Sequence, residues 1–494
     1  MKNTRIIILT IQSILSISYV CLSKASSIEN QASRIEYTSN EAIPMEQWTQ
    51  QVGAKKMPDK KEVFKVNNYG AVNDGKTLNT KAIQAAIDAC AAKGGGIVTF
   101  NPGEYLAGSI FVYEGVNLRI DKGVTILGSQ DILDYPEIDT RVAGIELKWP
   151  AALLNIIDQQ NAAITGDGIV NARGKPFWDK YWTMRREEYE PKGLRWVVDY
   201  DCKRPRTVLV QNCSNVTIKG ITVQQAGFWT VHILYSKNIT VDDVVIQNNI
   251  GDISGPSTDG IDIDSSNFIL VENCDIDCND DNFCLKAGRD WDGLRINRPT
   301  EYVVIRNCIS RKGGGLVTFG SETSGSIRRI LAQNLKAKGT GVGLRFKSAR
   351  TRGGTVEDIY LKDIEMDGVN TVIEVSMNWN PSYSYSSLPE GYDLEKIPQH
   401  WITMLMQVNP PEKGIPEFRD VHISGVKATG ASKSISAEGT KESIIKDFHL
   451  SDIDIEAKSA GQISYARGWE FENVTIKSAD NSELNVSNSS EMKL

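Results

Sequence analysis

Histidine is scarce in this chain of 494 residues: His232, His400, His422 and His449 are scattered with no metal-ligand spacing. A zinc site, whose ligands cluster in short motifs, is therefore not indicated. Cysteine is poorly suited to a covalent framework. Of eight cysteines, Cys21 lies in the N-terminal leader, and the seven left are an odd number, so a complete disulfide set is excluded. Proline is infrequent (16) while glycine is not (41), which favours many turns over disorder. There is no excess of positive charge. A formal net charge of −7 excludes a protein built to grip nucleic acid nonspecifically. An acidic polymer remains possible as a ligand if basic groups gather in one groove. Beyond the leader, no apolar run approaches the ~20 residues of a transmembrane helix. A serine elbow is missing, and Gly313-Gly314-Gly315 has no lysine–hydroxyl pair after it to cradle phosphate.

What is present starts with an export signal. Lys2 and Arg5 precede a largely apolar run from Ile6 to Val20, and Ser23-Lys24-Ala25 offers small residues for cleavage. Residues 1–25 are read as a signal peptide, which places the mature protein in the periplasm or outside the cell. Lipid anchoring through Cys21 is disfavoured because Ser18-Tyr19-Val20 is a poor lipobox. Residues 26–61 are polar and aperiodic, a linker or extended arm. Thr80 is placed to cap a helix running to about Ala92, with Ile83, Ala86 and Ile87 on one face and Gly94-Gly95-Gly96 as its stop.

From there the chain repeats itself. Val216-Thr-Ile218-Lys-Gly-Ile221-Thr-Val223 recurs as Ile239-Thr-Val241-Asp-Asp-Val244-Val-Ile246, and again through Leu270, Val304, Ile359, Val421, Phe448 and Phe471. Short alternating strands broken by Asn or Gly are expected to wind into an all-β, right-handed parallel β-helix over residues 62–478, with turns about 4.8 Å apart. Inward side chains stack, and Asn at the turns bonds along the stack. Cys213, Cys274 and Cys308 each follow an Asn and are read as one buried column, while Cys278 and Cys284 are candidates for a bridge. Residues 479–494 read as a frayed polar tail. Two stretches interrupt the repeat. Residues 177–196 carry Tyr181, Trp182, Arg185, Arg186 and Arg195, and residues 377–405 carry Trp379, Tyr383, Tyr385, Tyr392 and Trp401. Such loops either pin themselves to the coil or wall a groove.

The chemistry lies in two aspartate clusters, Ser257-Thr258-Asp259-Gly260-Ile261-Asp262 and Asn279-Asp280-Asp281-Asn282. They are about one coil apart, so winding brings Asp259, Asp280 and Asp281 together. Crowded carboxylates hold a proton on one member while another stays ionised, which supplies an acid and a base. Capping of turns or calcium binding would use the same residues. Arg345 and Lys347 alternate in strand fashion and so share a side, with Arg350 and Arg352 following. Lys286 and Arg289 trail the second cluster. Such cations suit a carboxylated sugar.

Together these strings resemble polygalacturonases, glycoside hydrolase family 28. Ser257-Thr258-Asp259 resembles the family's Asn-Thr-Asp, Asn279-Asp280-Asp281 its Gly-Asp-Asp, Gly313-Gly314-Gly315 its Gly-His-Gly, and Arg345-Phe346-Lys347 its Arg-Ile-Lys. Gly70 to Tyr105 is similar to the first turn of pectin-degrading, pectin lyase-like β-helices. The resemblance implies that Asp280 is the general acid and that Asp259 and Asp281 activate water. It implies that Arg345 and Lys347, with Lys286 and Arg289 nearby, hold a sugar carboxylate. It further implies an inverting, secreted hydrolase of α-linked galacturonic-acid-containing pectin that uses no metal or cofactor. The long loops point to exo-action, and the protein is expected to work as a monomer with no stable membrane insertion. Gly314 stands where the family has histidine, which implies either another side chain in that space and an altered substrate, or weakened activity. Alternatives are a rhamnogalacturonan hydrolase, a calcium-dependent polysaccharide lyase, and a noncatalytic carbohydrate-binding β-helix.

Overall fold

Alternating β-branched residues give each short strand one apolar face, and stacking coils is the way to bury it. In the computed structural model, which describes residues 44–249, 255–384 and 387–494, this produces inward columns, one of which runs the length of the coil. Phe64, Val98, Leu118, Ile164, Ile218, Val241, Val271, Ile305, Ala332, Leu361, Ile423 and Leu450 follow one another in parallel register. The result is the right-handed parallel β-helix. The leader proposed for residues 1–25 lies outside the described residues.

Turns between strands are set by side chains that tolerate left-handed backbone. Asp243, Asn273, Asn307, Asn334 and Asp363 stack at one corner with φ of 56°, 58°, 56°, 51° and 55°. Their side chains bond along the stack: Asn273 Nδ2 donates to Asp242 Oδ1 at 2.8 Å, and Asn334 Nδ2 to Asn307 Oδ1 at 2.7 Å. The cysteines sort differently from the single column expected. Cys274 and Cys308 do stack, the Cys274 amide lying 3.4 Å from the Cys308 sulfur. Cys213 sits at another corner, where its amide donates to Ser236 Oγ at 3.0 Å. Cys278 and Cys284 are not bridged; all seven described cysteines are free and buried.

The helix Thr80–Ala92 closes one end of the coil, burying Ile83, Ala86, Ile87 and Cys90. Thr80 does not cap it. Asn79 precedes the first turn, and Thr80 Oγ1 instead accepts the Gly108 amide at 2.8 Å. Residues 45–55 form a strap across successive coils. Trp48 is buried edge-on to Tyr302, and the amides of Gly53, Ala54 and Lys55 donate to Phe268 O, Thr240 Oγ1 and Asn215 Oδ1. The stretch from residue 479 is not frayed. Asn485–Ser487 pairs in parallel with Gln462–Ser464, and bridges at Ser490 and Lys493 continue the last coil, because its backbone groups find partners on the coil before.

Three insertions leave the coil on one side. One is an antiparallel hairpin, Glu137–Val142 with Ile145–Pro150, which the repeat pattern does not reveal. The second carries the helix Lys175–Thr183 and runs to the helical turn Val198–Asp201. The third carries the helix Gln399–Leu405. They share a second apolar core, in which Val142, Trp149, Val197, Tyr200, Trp229, Trp401 and Met404 are buried together. Among the described residues no helix is long and apolar enough to cross a membrane.

Candidate active site

The outward faces of neighbouring strands supply the site. Ile261–Asp264, Phe283–Lys286, Gly315–Gly320, Val342–Lys347 and Thr371–Ser376 lie side by side. Register places Asp262, Cys284, Thr318, Arg345 and Glu374 in one outward row, preceded by His232. Asp264 and Lys286 pair in the next row, as do Gly320 and Lys347. Residues distant in the chain thus become neighbours through the pairing of parallel strands.

At the leading edge of these strands the three aspartates converge: oxygens of Asp259, Asp280 and Asp281 all lie within 4.8 Å of one another. Their motif neighbours hold the backbone. Thr258 Oγ1 donates to Gly255 O at 2.8 Å, and Asn282 Nδ2 donates to Lys312 O and Gly315 O. Gly313 needs its glycine: φ is +115°, and a Cβ there would meet Asp280 O at 2.5 Å.

The environments of the three differ. Asp281 is fully buried and receives Lys347 Nζ at 2.7 Å, Thr318 Oγ1 at 2.8 Å and the Arg345 guanidinium at 3.4 Å. Burial alone would raise its pKa, but the charges of Lys347 and Arg345 and the lysine hydrogen bond outweigh burial and hold it well below the usual range. Burial and then the Asp280 charge push Asp259 up to about 8. Burial and the Asp281 charge also raise Asp280. One carboxylate is therefore held ionised beside two that favour a proton.

Asp280 is the half-buried member, and it opens into a cavity of about 740 Å³. Ser257, Asn279, Tyr181, Trp182, Arg185, Arg186 and Arg195 line that cavity, so the second insertion forms its wall. The third insertion reaches the cations: Trp379 lies 4.6 Å from Lys347 Nζ and packs against Trp196 and Tyr383. The aromatics of the two loops thus join each other as well as the coil.

Lys286 and Arg289 are placed differently from Arg345 and Lys347. Lys286 is buried, its Nζ 3.6, 3.5 and 3.3 Å from Asp259, Asp262 and Glu322 and 4.7 Å from the Trp229 ring. It is a counter-ion beneath the aspartates. Arg289 has no exposed surface; it sits beside Asp290 at 3.2 Å and over Tyr383 at 4.3 Å. Arg289 is covered by Tyr200 and Tyr383 of the insertions, whose extent the strand repeat does not show, and Lys286 is closed off by its acidic partners and Trp229. Arg352 is likewise buried against Asp290, and Arg350 is exposed.

Several groups at the site escape motif reading. Thr318 lies within the glycine-led strand but outside the motif triplet, yet its hydroxyl reaches Asp281. Asp262 is buried with neither oxygen hydrogen-bonded, and burial, then the Asp259 charge, raise it well above the carboxylate range. Glu374 accepts Arg345 Nε at 3.0 Å. Their signal is the outward alternation of the site strands, which identifies a row but not its partners. At Gly314 a Cβ would lie 3.0 Å from Asp281 Oδ1, so the carboxylate itself occupies the space beside that glycine.

Thr318→Val is expected to lower turnover about tenfold or more, since a hydrogen bond to a charged group contributes about 1.5–3 kcal/mol. The Asp281 carboxyl should titrate higher. A pH–rate profile in which the acidic limb stays in place would contradict this role for the hydroxyl.

Comparison with known proteins places this geometry. The model of glycosyl hydrolases family 28 matches residues 114–404, and one described as rhamnogalacturonase A/epimerase, pectate lyase-like, matches residues 63–139. A probable polygalacturonase of Vitis vinifera is 30% identical over 386 residues, covering 74% of each chain. An exo-poly-alpha-D-galacturonosidase of Dickeya chrysanthemi is 25% identical over 454 residues, covering 84% of this chain and 71% of that one. The crystal structure of a hyperthermoactive exopolygalacturonase from Thermotoga maritima matches with a TM-score of 0.75 at 26% identity, covering 88% of this chain and 95% of that one. The chain belongs to glycosyl hydrolases family 28 and is a glycosidase.

Proposed function

We propose that this protein hydrolyses α-linked galacturonic-acid-containing pectin, removing sugar from chain ends in one inverting displacement. One observation carries the reading: Asp280 faces the cavity while Asp281, ionised, and Asp259 stand behind it, with Arg345 and Lys347 alongside. The names of the relatives from Vitis vinifera and Dickeya chrysanthemi support the substrate class.

In this reading Asp280 gives its proton to the glycosidic oxygen as the bond to the anomeric carbon breaks. A water on the opposite face of the sugar attacks that carbon and loses a proton to Asp281, assisted by Asp259. The separation of at most 4.8 Å is shorter than the ~6.5–9.5 Å usual for inverting pairs. Burial supports inversion nonetheless. Asp259 and Asp281 are 3% and 0% exposed, too enclosed to be attacking nucleophiles at a sugar carbon. Water is small enough to enter between them. Arg345 and Lys347 take the sugar carboxylate on the leaving side, exchanging part of their contact with Asp281 and Glu374 for it.

The walls built by the second and third insertions support exo-action, and the composition of the leader supports export. The test is incubation with polygalacturonate, following product size, viscosity and anomer. Mono- or disaccharide should accumulate first, viscosity should fall slowly, and the new reducing end should appear as the β-anomer by NMR. Early mid-length fragments with a rapid viscosity drop would overturn exo-action, and an α-anomer would overturn inversion. An ultraviolet-absorbing product would mark a lyase instead.

A further inference from the structure

The cavity beside Asp280 has a cation for which the mechanism above has no use. Its wall carries Arg185, Arg186 and Arg195 from the second insertion. Two of these have intramolecular partners: Arg185 Nε meets Glu190 at 2.7 Å, and Arg195 meets Asp199 at 2.9 Å. Arg186 makes no salt bridge among the described residues; its guanidinium lies 5.2 Å over the Trp182 ring. That ring also carries Arg185 at 5.2 Å, so two planar cations are presented from one aromatic platform. Of the lining acids, Asp179 is held by Lys175 at 2.7 Å, which leaves Glu187 and Asp280 itself.

The position of this cation along the coil matters. The cavity touches Ser257 and Asn279, on the coils of the aspartates. Arg345 and Lys347 lie on a later strand, with Gly315–Gly320 intervening. A bond cleaved at Asp280 therefore has the Arg345–Lys347 pair on one side and the Arg186 wall on the other. A volume of about 740 Å³ is ample for a sugar ring.

Resting on the hydrolase reading, we infer that Arg186, held on Trp182, binds the carboxylate of a second uronic acid, across the cleaved bond from the sugar held by Arg345 and Lys347. The preferred substrate then carries acidic sugars on both sides of that bond. A polymer alternating acidic and neutral sugars satisfies only one of the two cation sites.

The test is equilibrium binding by calorimetry at low salt, in the Asp280→Asn and Asp280→Asn/Arg186→Ala proteins, with trigalacturonate and its methyl ester. Loss of Arg186 should weaken trigalacturonate about tenfold, the scale of one charge-assisted contact, and leave the ester unchanged. The Asp280→Asn/Arg186→Lys protein should fall between. Equal affinity for trigalacturonate with and without Arg186, equal loss for acid and ester, or no trigalacturonate binding in either protein would each overturn the inference. Wild-type turnover of polygalacturonate is followed in parallel. Its absence would defeat the hydrolase reading alone, because the Kd difference locates the carboxylate site without catalysis.

Discussion

Asp280→Asn should lower kcat on polygalacturonate by about 10²–10⁴-fold, the usual contribution of a positioned general acid, while oligogalacturonide binding persists. Asn keeps the size of the side chain and its place at the cavity, but it has no acidic proton for the glycosidic oxygen. It also removes a group whose charge helps to raise Asp259. The Asp259 carboxyl should then titrate lower, and the residual activity should shift its pH dependence accordingly. Asp281→Asn is predicted to be at least as damaging to kcat, for a different reason. It leaves Lys347, buried at 2.7 Å from that carboxylate, without its ionic partner. The two variants therefore separate by stability: Asp280→Asn should unfold near the wild-type midpoint, and Asp281→Asn well below it. Wild-type-like turnover in Asp280→Asn would remove the acid from the mechanism, and binding-only readings of the fold would regain their standing.

The coil was legible because its information is local and repeated. Val216-Thr-Ile218 and its recurrences show the inward positions directly, and each repeat reports the same alternation. Asp259, Asp280 and Asp281 were legible for the same reason, since a regular repeat converts a one-coil spacing into adjacency. Arg345 and Lys347 share a side by strand geometry alone. Where the repeat stops, no period fixes which residues meet. The hairpin Glu137–Val142 with Ile145–Pro150 alternates too, and nothing in that alternation says it leaves the coil. Tyr200 and Tyr383 meet at 3.3 Å between hydroxyls from two different insertions, a contact set by tertiary packing rather than period. Arg289 illustrates the consequence. Its place just after the second aspartate cluster suggests an open groove, but the insertions cover it completely. Cys213 shows the limit within the repeat itself. It follows an Asn as Cys274 and Cys308 do, yet the coil has more than one corner with that pattern, and the sequence does not label corners.

Lys286→Met should have the largest effect on stability. The lysine is buried among Asp259, Asp262 and Glu322, and removing one partner of a buried ionic cluster costs about 3–5 kcal/mol because the others lose their compensation. Burial would lower the lysine pKa, but the surrounding anionic groups outweigh it and raise the pKa well above 10.5, so Lys286 is a cation throughout the working range. The loss should depend on pH. Asp259 and Asp262 already bind protons more tightly in the folded state than the ordinary carboxylate value of 3.8. A raised folded pKa gives stability that is fully present below the unfolded value and is lost as pH rises through the folded one. Without Lys286 both groups should titrate still higher. The deficit should therefore be small near pH 4, where both are protonated in either folded protein, and appear as pH approaches the wild-type Asp259 value of about 8. Thermal unfolding midpoints of wild type and Lys286→Met at those two pH values measure it. Adding Asp262→Asn to Lys286→Met should restore part of the loss at pH 8, since a neutral amide needs no counter-ion there. A deficit equal at both pH values would mean that Lys286 acts through its packing on Trp229, 4.7 Å away, rather than through charge. On the electrostatic account the same substitution also keeps Asp259 neutral to higher pH, so turnover should fall with stability, most steeply on the alkaline side of the pH–rate profile, near and above the wild-type Asp259 value of about 8.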